Sequence, residues 1–294
     1  MTAAVHVIIS THTTRHLRAT LWGLARQTRP AATLTVSCDN DLPEIGAVVR
    51  AAVSDFQFAP STIVHWVRRP HQGVARLDQV RNNGIRTALA AGASSGRFLI
   101  LDGDILTSPD TIAKHAQFAN LGLVGTSRIL TDEARTAELT AAVDRPDSRP
   151  PLPTAPELAT LDREQRNAEW HLALRRASLG PLRFTKSHKP KIIGAHFSVS
   201  VDLVQRINGF DEEYEGYGMD DDDFGRRCYQ AGAHAAVAIT AIPVFHLFHP
   251  TRMQGRWQDQ PGHARFSRRD LPFRTVRGLE NPIPQPPPIV DTMR

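Results

Sequence analysis

Two acidic stretches carry the residue types and spacings that could do chemistry: Asp102-Gly103-Asp104, and the run Asp220-Asp221-Asp222-Asp223. The first closes an apolar run, Phe98 to Leu101, which reads as a strand buried on both faces and therefore central in a parallel sheet. Carboxylates just past the C-terminal end of such a strand sit where open α/β sheets bind ligands. Alternation along a straight strand would send the two side chains apart. Gly103 is expected to turn the backbone, so that both carboxylates converge on one hard divalent cation. Taken alone, Asp-Gly-Asp is also compatible with a solvated turn. The second stretch follows a loop of glycines and aromatics, Asn208 to Met219, and opens a helix expected to continue to Gly232. A carboxylate at a helix N-terminus gains about 0.3–1 kcal/mol from the macrodipole. That accounts for one or two aspartates, whereas four adjacent like charges require cations close by.

Elements that could hold these residues in place run along the chain in order. Val5–Ile9 predicts a strand closing at the polar cluster Ser10–Thr14, which is expected to cap a helix carrying Leu17, Leu21, Leu24 and Ala25. Leu34–Cys38 predicts a second strand ending at Asp39. The βαβ start is that of a nucleotide-binding half, and the absence of a Gly-rich loop after the first strand disfavours a GxGxxG dinucleotide fold. A helix over 41–53, a strand over 62–66 and a helix with Arg76 and Arg81 on its polar side lead into the Asp-Gly-Asp strand. Ser108-Pro109-Asp110 restarts a helix with proline in its first turn, and 121–125 is a short strand. From Thr131 to Lys191 the composition shifts to Pro, Arg, Ala and Glu around a charged helix, Ala155–Ala177. Such a segment is either an acceptor-binding or lid element or an inert excursion. Then follow an apolar stretch over 192–201, a helix over 202–207 and a strand over 237–245 that delivers His246 and His249. The Pro-rich end, 280–294, is expected to wrap the surface or to be disordered.

Composition narrows the class. The 294 residues, 41% hydrophobic and 22% charged, are enough for one large or two small domains with a substantial core. No apolar run is long enough to span a bilayer and the N-terminus lacks a signal-peptide pattern, so a cytoplasmic protein is expected, and the basic charge also fits a place at the inner face of the membrane. Two cysteines, Cys38 and Cys228, make no disulfide framework and are expected reduced and buried. The net charge of +5 admits anionic partners such as lipid headgroups or phosphorylated substrates. Without a basic cluster interleaved with aromatics, nucleic acid is not expected as a partner.

The ordered set resembles the GT-A glycosyltransferases, family-2-like with a galactosyltransferase-type C-terminal segment. The pieces that carry the resemblance are Ile8-Ile-Ser-Thr-His12, Asp39, Arg81-Asn-Asn-Gly-Ile85, Leu101-Asp-Gly-Asp104, Asn208-Gly-Phe-Asp211, Gly216-Tyr-Gly-Met-Asp-Asp-Asp-Asp223 and His246 or His249. Together they span Val5 to Pro250, all but the insertion and the tail. The resemblance implies an α/β fold with a Rossmann-like nucleotide-binding half and a mixed, mostly parallel central sheet flanked by helices. It divides the chain into a nucleotide-sugar half (1–127), the polar insertion (128–191), an acceptor and catalytic half (192–279) and the tail (280–294). Thr11, Asp39, Arg81 and Asp102 would bind the nucleotide, usually a uridine diphosphate. Asp102, Asp104 and a C-terminal histidine would hold Mn²⁺ or Mg²⁺. Tyr217, Gly218 and Asp222 would contact the acceptor or the sugar, Asp220 would bind donor or acceptor hydroxyls, and Asp221 would be the general base. Related enzymes read Trp-Gly-Gly-Glu-Asp where this chain has Tyr217-Gly218-Met219-Asp220-Asp221, which leaves sugar preference open.

Three residues apart on an extended segment, His246 and His249 are expected to point to opposite sides, so that His246 is the ligand and His249 its alternate. His12 and His196 are expected to pack or hydrogen-bond. Asp221, crowded by Asp220 and Asp222, is expected to be a stronger base than an isolated aspartate, because like charges raise a carboxyl pKa. The expected reaction is metal-dependent, inverting transfer from a UDP-sugar to a glycan, lipid-linked or peptide acceptor. The alternatives are a sugar nucleotidyltransferase and a catalytically silent GT-A-like sugar-binding protein. A nucleotidyltransferase would want a Gly-rich triphosphate loop and would not need the Asp220–Asp223 stretch, whereas a silent protein would show no Mn²⁺-dependent hydrolysis of a UDP-sugar.

Overall fold

The computed structural model describes residues 2–145, 147–178, 182, 184–250 and 256–294. The N-terminal part alternates as expected: β1 (Val5–Thr11), α1 (Leu17–Ala25), β2 (Thr33–Cys38), α2 (Pro43–Asp55), β3 (Ile63–Arg68), α3 (Leu77–Ala90) and β4 (Arg97–Asp102). Strands β1 and β2 are buried at every residue, as befits strands covered on both faces. Then come β5 (Ile105–Thr107), α4 (Thr111–Ala116), β6 (Leu123–Gly125), β7 (Ile129–Leu130), α5 (Glu133–Thr140) and α6 (Ala155–Ala177). The C-terminal part holds β8 (His196–Ser200), α7 (Val201–Ile207), α8 (Asp220–Gln230), β9 (Ala235–Val237), β10 (Val244–His246), α9 (Pro261–Phe266) and β11 (Ile289–Thr292).

Eight strands form a mixed, largely parallel sheet in the order β11-β3-β2-β1-β4-β8-β6-β9. Strands β3, β2, β1 and β4 run parallel, and β8 lies antiparallel between β4 and β6. The registers Thr11↔Cys38, Ser10↔Asp102, Leu101↔His196 and Gly125↔Phe197 put the C-terminal ends of β1, β2, β4 and β6 and the start of β8 at one end of the sheet. A second sheet, β5-β10-β7, sits against that end, with His246 opposite Ile105 and Leu130.

Several elements differ from expectation, each for a local reason. The Ser10–Thr14 cluster does not cap α1, whose N-cap is His16 without a side-chain bond; the Thr11 hydroxyl turns to the Thr13 carbonyl at 2.9 Å instead. Pro109 precedes α4 rather than entering its first turn, since Asp110 is the N-cap. The stretch 237–245 is two strands in two sheets, broken by a turn over 238–242 whose Ile239 and Thr240 amides donate to Gln165. Pro243, which has no N–H for a ladder, marks the break. The tail does wrap the surface, and it also supplies β11, antiparallel to β3 with Ile289 opposite Arg68. Helix α6 occupies the range the sequence predicts, closed at its start by a capping box between Thr154 and Glu157. Among the described residues no helix is long and apolar enough to cross a membrane. Cys38 and Cys228 are free and buried.

Candidate active site

Pairing of β10 with β5 places His246 beside Ile105, one residue beyond Asp104, and the Leu247 amide donates to the Asp104 carbonyl at 3.0 Å. The strand ends at His246, and the chain then bends back so that His249 reaches the same carboxylate. His246 Nε2 lies 3.6 Å from Asp104 Oδ1 and His249 Nε2 lies 3.1 Å from Oδ2. The expectation that the two histidines face opposite sides is therefore corrected: it holds for an extended chain, and residues beyond His246 are not extended strand. His16, at the start of α1, fixes the bend through a 2.8 Å bond between its Nε2 and the Phe248 carbonyl.

Asp104, His246 and His249 each offer one ligand atom, all within 4.8 Å of one another. Asp104 Oδ1 is buried with no hydrogen-bond partner, the 3.6 Å to His246 being too long for one. Burial, and then the neighbouring Asp102 charge, raises the Asp104 carboxyl to about 6. Burial and then the Arg128 charge lower His246 to about 4, which keeps its imidazole neutral, the form that ligates metals. One orphaned carboxylate oxygen facing two imidazole nitrogens fits a divalent ion such as Mn²⁺. Asp102, expected to share that ion, lies outside the trio: its Oδ1 accepts from Ser10 Oγ at 3.0 Å and sits 3.6 Å from Arg81. Gly103 is required for a reason other than backbone rotation. A Cβ there would come within 2.7 Å of the Thr11 side chain, and its φ is not left-handed.

Arg81 links the two acidic stretches. Far from facing water on a polar helix side, it is 2% exposed, enclosed by Asp78, Asp220, the Gly194 carbonyl and the Phe210 ring, whose centroid lies 5.1 Å from its guanidinium carbon. Its guanidinium donates to Asp220 at 2.7 Å and to the Gly194 carbonyl at 3.3 Å, besides its approach to Asp102. The asparagines that follow it are structural. Asn82 exchanges 2.9 Å bonds with the Phe210 backbone, and Asn83 bonds Gln285 of the tail.

The four consecutive aspartates have four different environments. Asp220 is paired with Arg81, Asp222 with Lys191 at 2.6 Å, and Asp223 with Arg226 and Arg227 at 2.5 and 2.7 Å. Asp221 alone among them has no cation within ion-pair distance among the described residues. Its Oδ2 accepts from the Gly194 amide at 3.1 Å and its Oδ1 from the Asp222 amide at 2.8 Å. Burial, then the Asp220 and Asp222 charges, raises its carboxyl to about 6. Like-charge crowding acts in the expected direction, but burial is the larger cause. Gly194 leaves no space for a side chain here, since a Cβ would meet Arg81 at 2.8 Å and Asp221 at 3.3 Å. Asp222, expected to touch acceptor or sugar, is buried against Lys191.

Tyr217 is 60% exposed on a loop held by a 2.8 Å bond from the Gly216 amide to the Ala75 carbonyl and by an Arg76–Glu215 ion pair. Gly218, at φ +100°, and Met219, at φ 72°, turn that loop into α8. Met219 stands where the resemblance expects glycine, so the left-handed turn is kept at a cost of about 1–2 kcal/mol. Asp39 lies at the C-terminal end of β2 but is already engaged, by Arg69 at 2.5 Å and His71 at 3.3 Å. Thr11 is buried beside it, its carbonyl accepting from the Asp39 amide at 3.3 Å. His196 is a core residue bonded to His115 and to the Ser127 carbonyl, whereas His12 is exposed.

Sequence reasoning passed over Arg128, Ser10, His16 and Gly194. Arg128 leaves the C-terminal end of β6, at the sheet end shared by the site. Its Nε is buried with no hydrogen-bond partner, and its charge bears on both His246 and Tyr217. Nothing in the scatter of arginines along the chain singles it out.

Comparison with known proteins bears on the fold. Residues 181–250 match the family model described as the N-terminal domain of galactosyltransferase. No curated protein sequence matches the chain. GalNAc-T7, solved with UDP, GalNAc and Mn²⁺, superposes with a TM-score of 0.55 at 14% identity, over 90% of this chain and 47% of that one. This chain thus spans about half the length of that protein. The catalytic domain of Drosophila β1,4-galactosyltransferase 7 with xylobiose gives 0.46 at 13% identity, over 95% and 84% of the two chains. At such identities the likeness is one of fold. The chain has the GT-A fold and, over residues 181–250, is similar to the N-terminal domain of galactosyltransferase.

Proposed function

We propose that this protein is a metal-dependent, inverting glycosyltransferase that moves a sugar from a UDP-sugar to an acceptor hydroxyl, with Asp221 as general base. The observation that carries the reading is the singling out of Asp221: three of four adjacent carboxylates are neutralised by cations, and the fourth is held by amides alone. A carboxylate has about four lone-pair sites, so two remain for an acceptor hydroxyl. A carboxyl at about 6 is largely ionised at neutral pH and more basic than an ordinary aspartate, as proton removal from an alcohol requires.

Asp104, His246 and His249 would hold the divalent ion, which when bound supplies positive charge to the departing diphosphate. Arg128, whose guanidinium has no carboxylate partner among the described residues, would add a second positive charge there, since it lies within electrostatic reach of His246. Arg81 pins Asp220 and approaches Asp102, so that the donor side and the acceptor side are held in one register. Tyr217 offers an exposed ring to a sugar face. A base and no protein nucleophile imply one displacement at the anomeric carbon, hence inversion. GalNAc-T7's complex with UDP, GalNAc and Mn²⁺ supports the donor class. The test is a screen for nucleotide release from UDP-, GDP- and TDP-sugars with Mn²⁺ and with EDTA. UDP release abolished by EDTA is expected; equal release with EDTA, or pyrophosphate release from a nucleoside triphosphate and a sugar phosphate, would overturn the reading.

A further inference from the structure

Beside the acidic helix lies a groove that the reaction outlined above does not use. It has a volume of about 510 Å³ and ten lining residues, Lys186, His188, Arg226, Phe266, Arg268 and Arg269 among them, and none of the ten is acidic. Two of its cations are compensated from outside: Arg226 by Asp223 at 2.5 Å and Arg268 by Asp270 at 2.7 Å. Lys186 and Arg269 have no carboxylate within 4.0 Å among the described residues. His188 rests edge-on against Phe266, ring centroids 5.3 Å apart. Burial, then the charges of Lys189, Lys191 and Lys186 against that of Asp222, holds its imidazole down at about 4. Like charges gathered around a cavity with no anion on its wall are unfavourable unless a ligand brings one.

Placement decides what that ligand serves. Arg226 stands five residues beyond Asp221 on α8, about 7.5 Å along the helix axis. Lys191, next to the groove in sequence, binds Asp222. Asp222 and Arg226, four residues apart, share a face of α8, so the groove lies on the Asp222 side of the helix, about a turn beyond the proposed base. Guanidinium groups with an ammonium are the usual partners of phosphate oxygens. We propose that this groove is a separate anion site that takes a phosphate group of the acceptor; only the word acceptor rests on the transferase reading.

The test reads His188 in the full chain. Its ring resonances are followed against pH by NMR while inorganic phosphate is added. Bound phosphate should raise the His188 pKa by about one unit, because an anion within about 4–6 Å favours the imidazolium. Phosphate affinity should fall at least tenfold in the Lys186→Glu/Arg269→Glu double variant. An unmoved His188 titration, or undiminished affinity in the double variant, would overturn the proposal, and the first of these needs no variant to fold. Two further arms separate the sources. Saturation by a sugar phosphate assigns a soluble phosphorylated acceptor, cosedimentation with phosphatidylglycerol vesicles assigns a lipid phosphate, and failure of both sinks the site. Mn²⁺-dependent UDP binding on the same sample reports the donor cleft separately, so loss of one reading is not mistaken for loss of the other.

Discussion

The Asp-Gly-Asp turn and the four-aspartate helix start meet at Arg81, yet their charges are settled in opposite ways. At the turn, Asp104 faces two imidazoles, one of them held neutral by burial, and keeps an unbonded oxygen. At the helix start, every carboxylate but Asp221 has a cation beside it. A site that leaves a buried carboxylate oxygen unbonded beside two imidazoles fits a metal. A site that surrounds one carboxylate with compensated neighbours raises that group's basicity without accumulating charge. The same residue type thus serves two ends, set by what each is packed against.

Breaking the base should have the largest effect. Asp221→Asn keeps the shape and one of the two amide contacts of that carboxylate, and should lower turnover about 10²–10⁴-fold, the usual worth of general base catalysis, while UDP affinity in Mn²⁺ is unchanged. Equal loss of both would make Asp221 structural. On the metal side, His246→Ala and His249→Ala should each weaken Mn²⁺ by more than about tenfold, since even outer-shell partners of a metal are worth 10–100-fold. A loss confined to one of them, read by Mn²⁺ EPR titration, would restore the single-histidine expectation.

The shared hinge comes next. Gly194→Ala would push its methyl against Arg81 and Asp221 at once and should cost up to about 10²-fold in kcat, the scale of an ångström's misplacement. The pH profile sharpens the contrast further. Asp221 must be ionised to accept a proton and its carboxyl sits at about 6, so kcat should rise through pH 6 and level off above it. With saturating Mn²⁺ that limb should involve one proton; with limiting Mn²⁺ Asp104, also at about 6, adds a second. The smallest expected effect is Met219→Gly, which relieves a left-handed backbone and should stabilise the fold by about 1 kcal/mol in urea unfolding.

What the sequence makes legible follows period and length. Strand β4 and helices α6 and α8 are long or sharply bounded, and the apolar run, the flanking prolines and the acidic start mark them. Strands β5 and β7 are three and two residues long, too short for any alternation, yet pairing with them is what carries His246 to Asp104. That His249 turns back to the same carboxylate depends on a bend fixed by His16, more than two hundred residues earlier in the chain. Arg81 reads as a solvated helix residue because the groups that cover it, Gly194, Phe210 and Asp220, are remote in sequence. The sequence shows four consecutive aspartates at 220–223, and only packing against Arg81, Lys191, Arg226 and Arg227 shows which one is left for chemistry.

The most direct measurement is a calorimetric titration of UDP in Mn²⁺ run in parallel on Asp104→Ala and Asp221→Asn. The division of labour described above predicts that metal-dependent UDP binding disappears in the first and is retained at unchanged affinity in the second. Retention in Asp104→Ala, or loss in both, would contradict it.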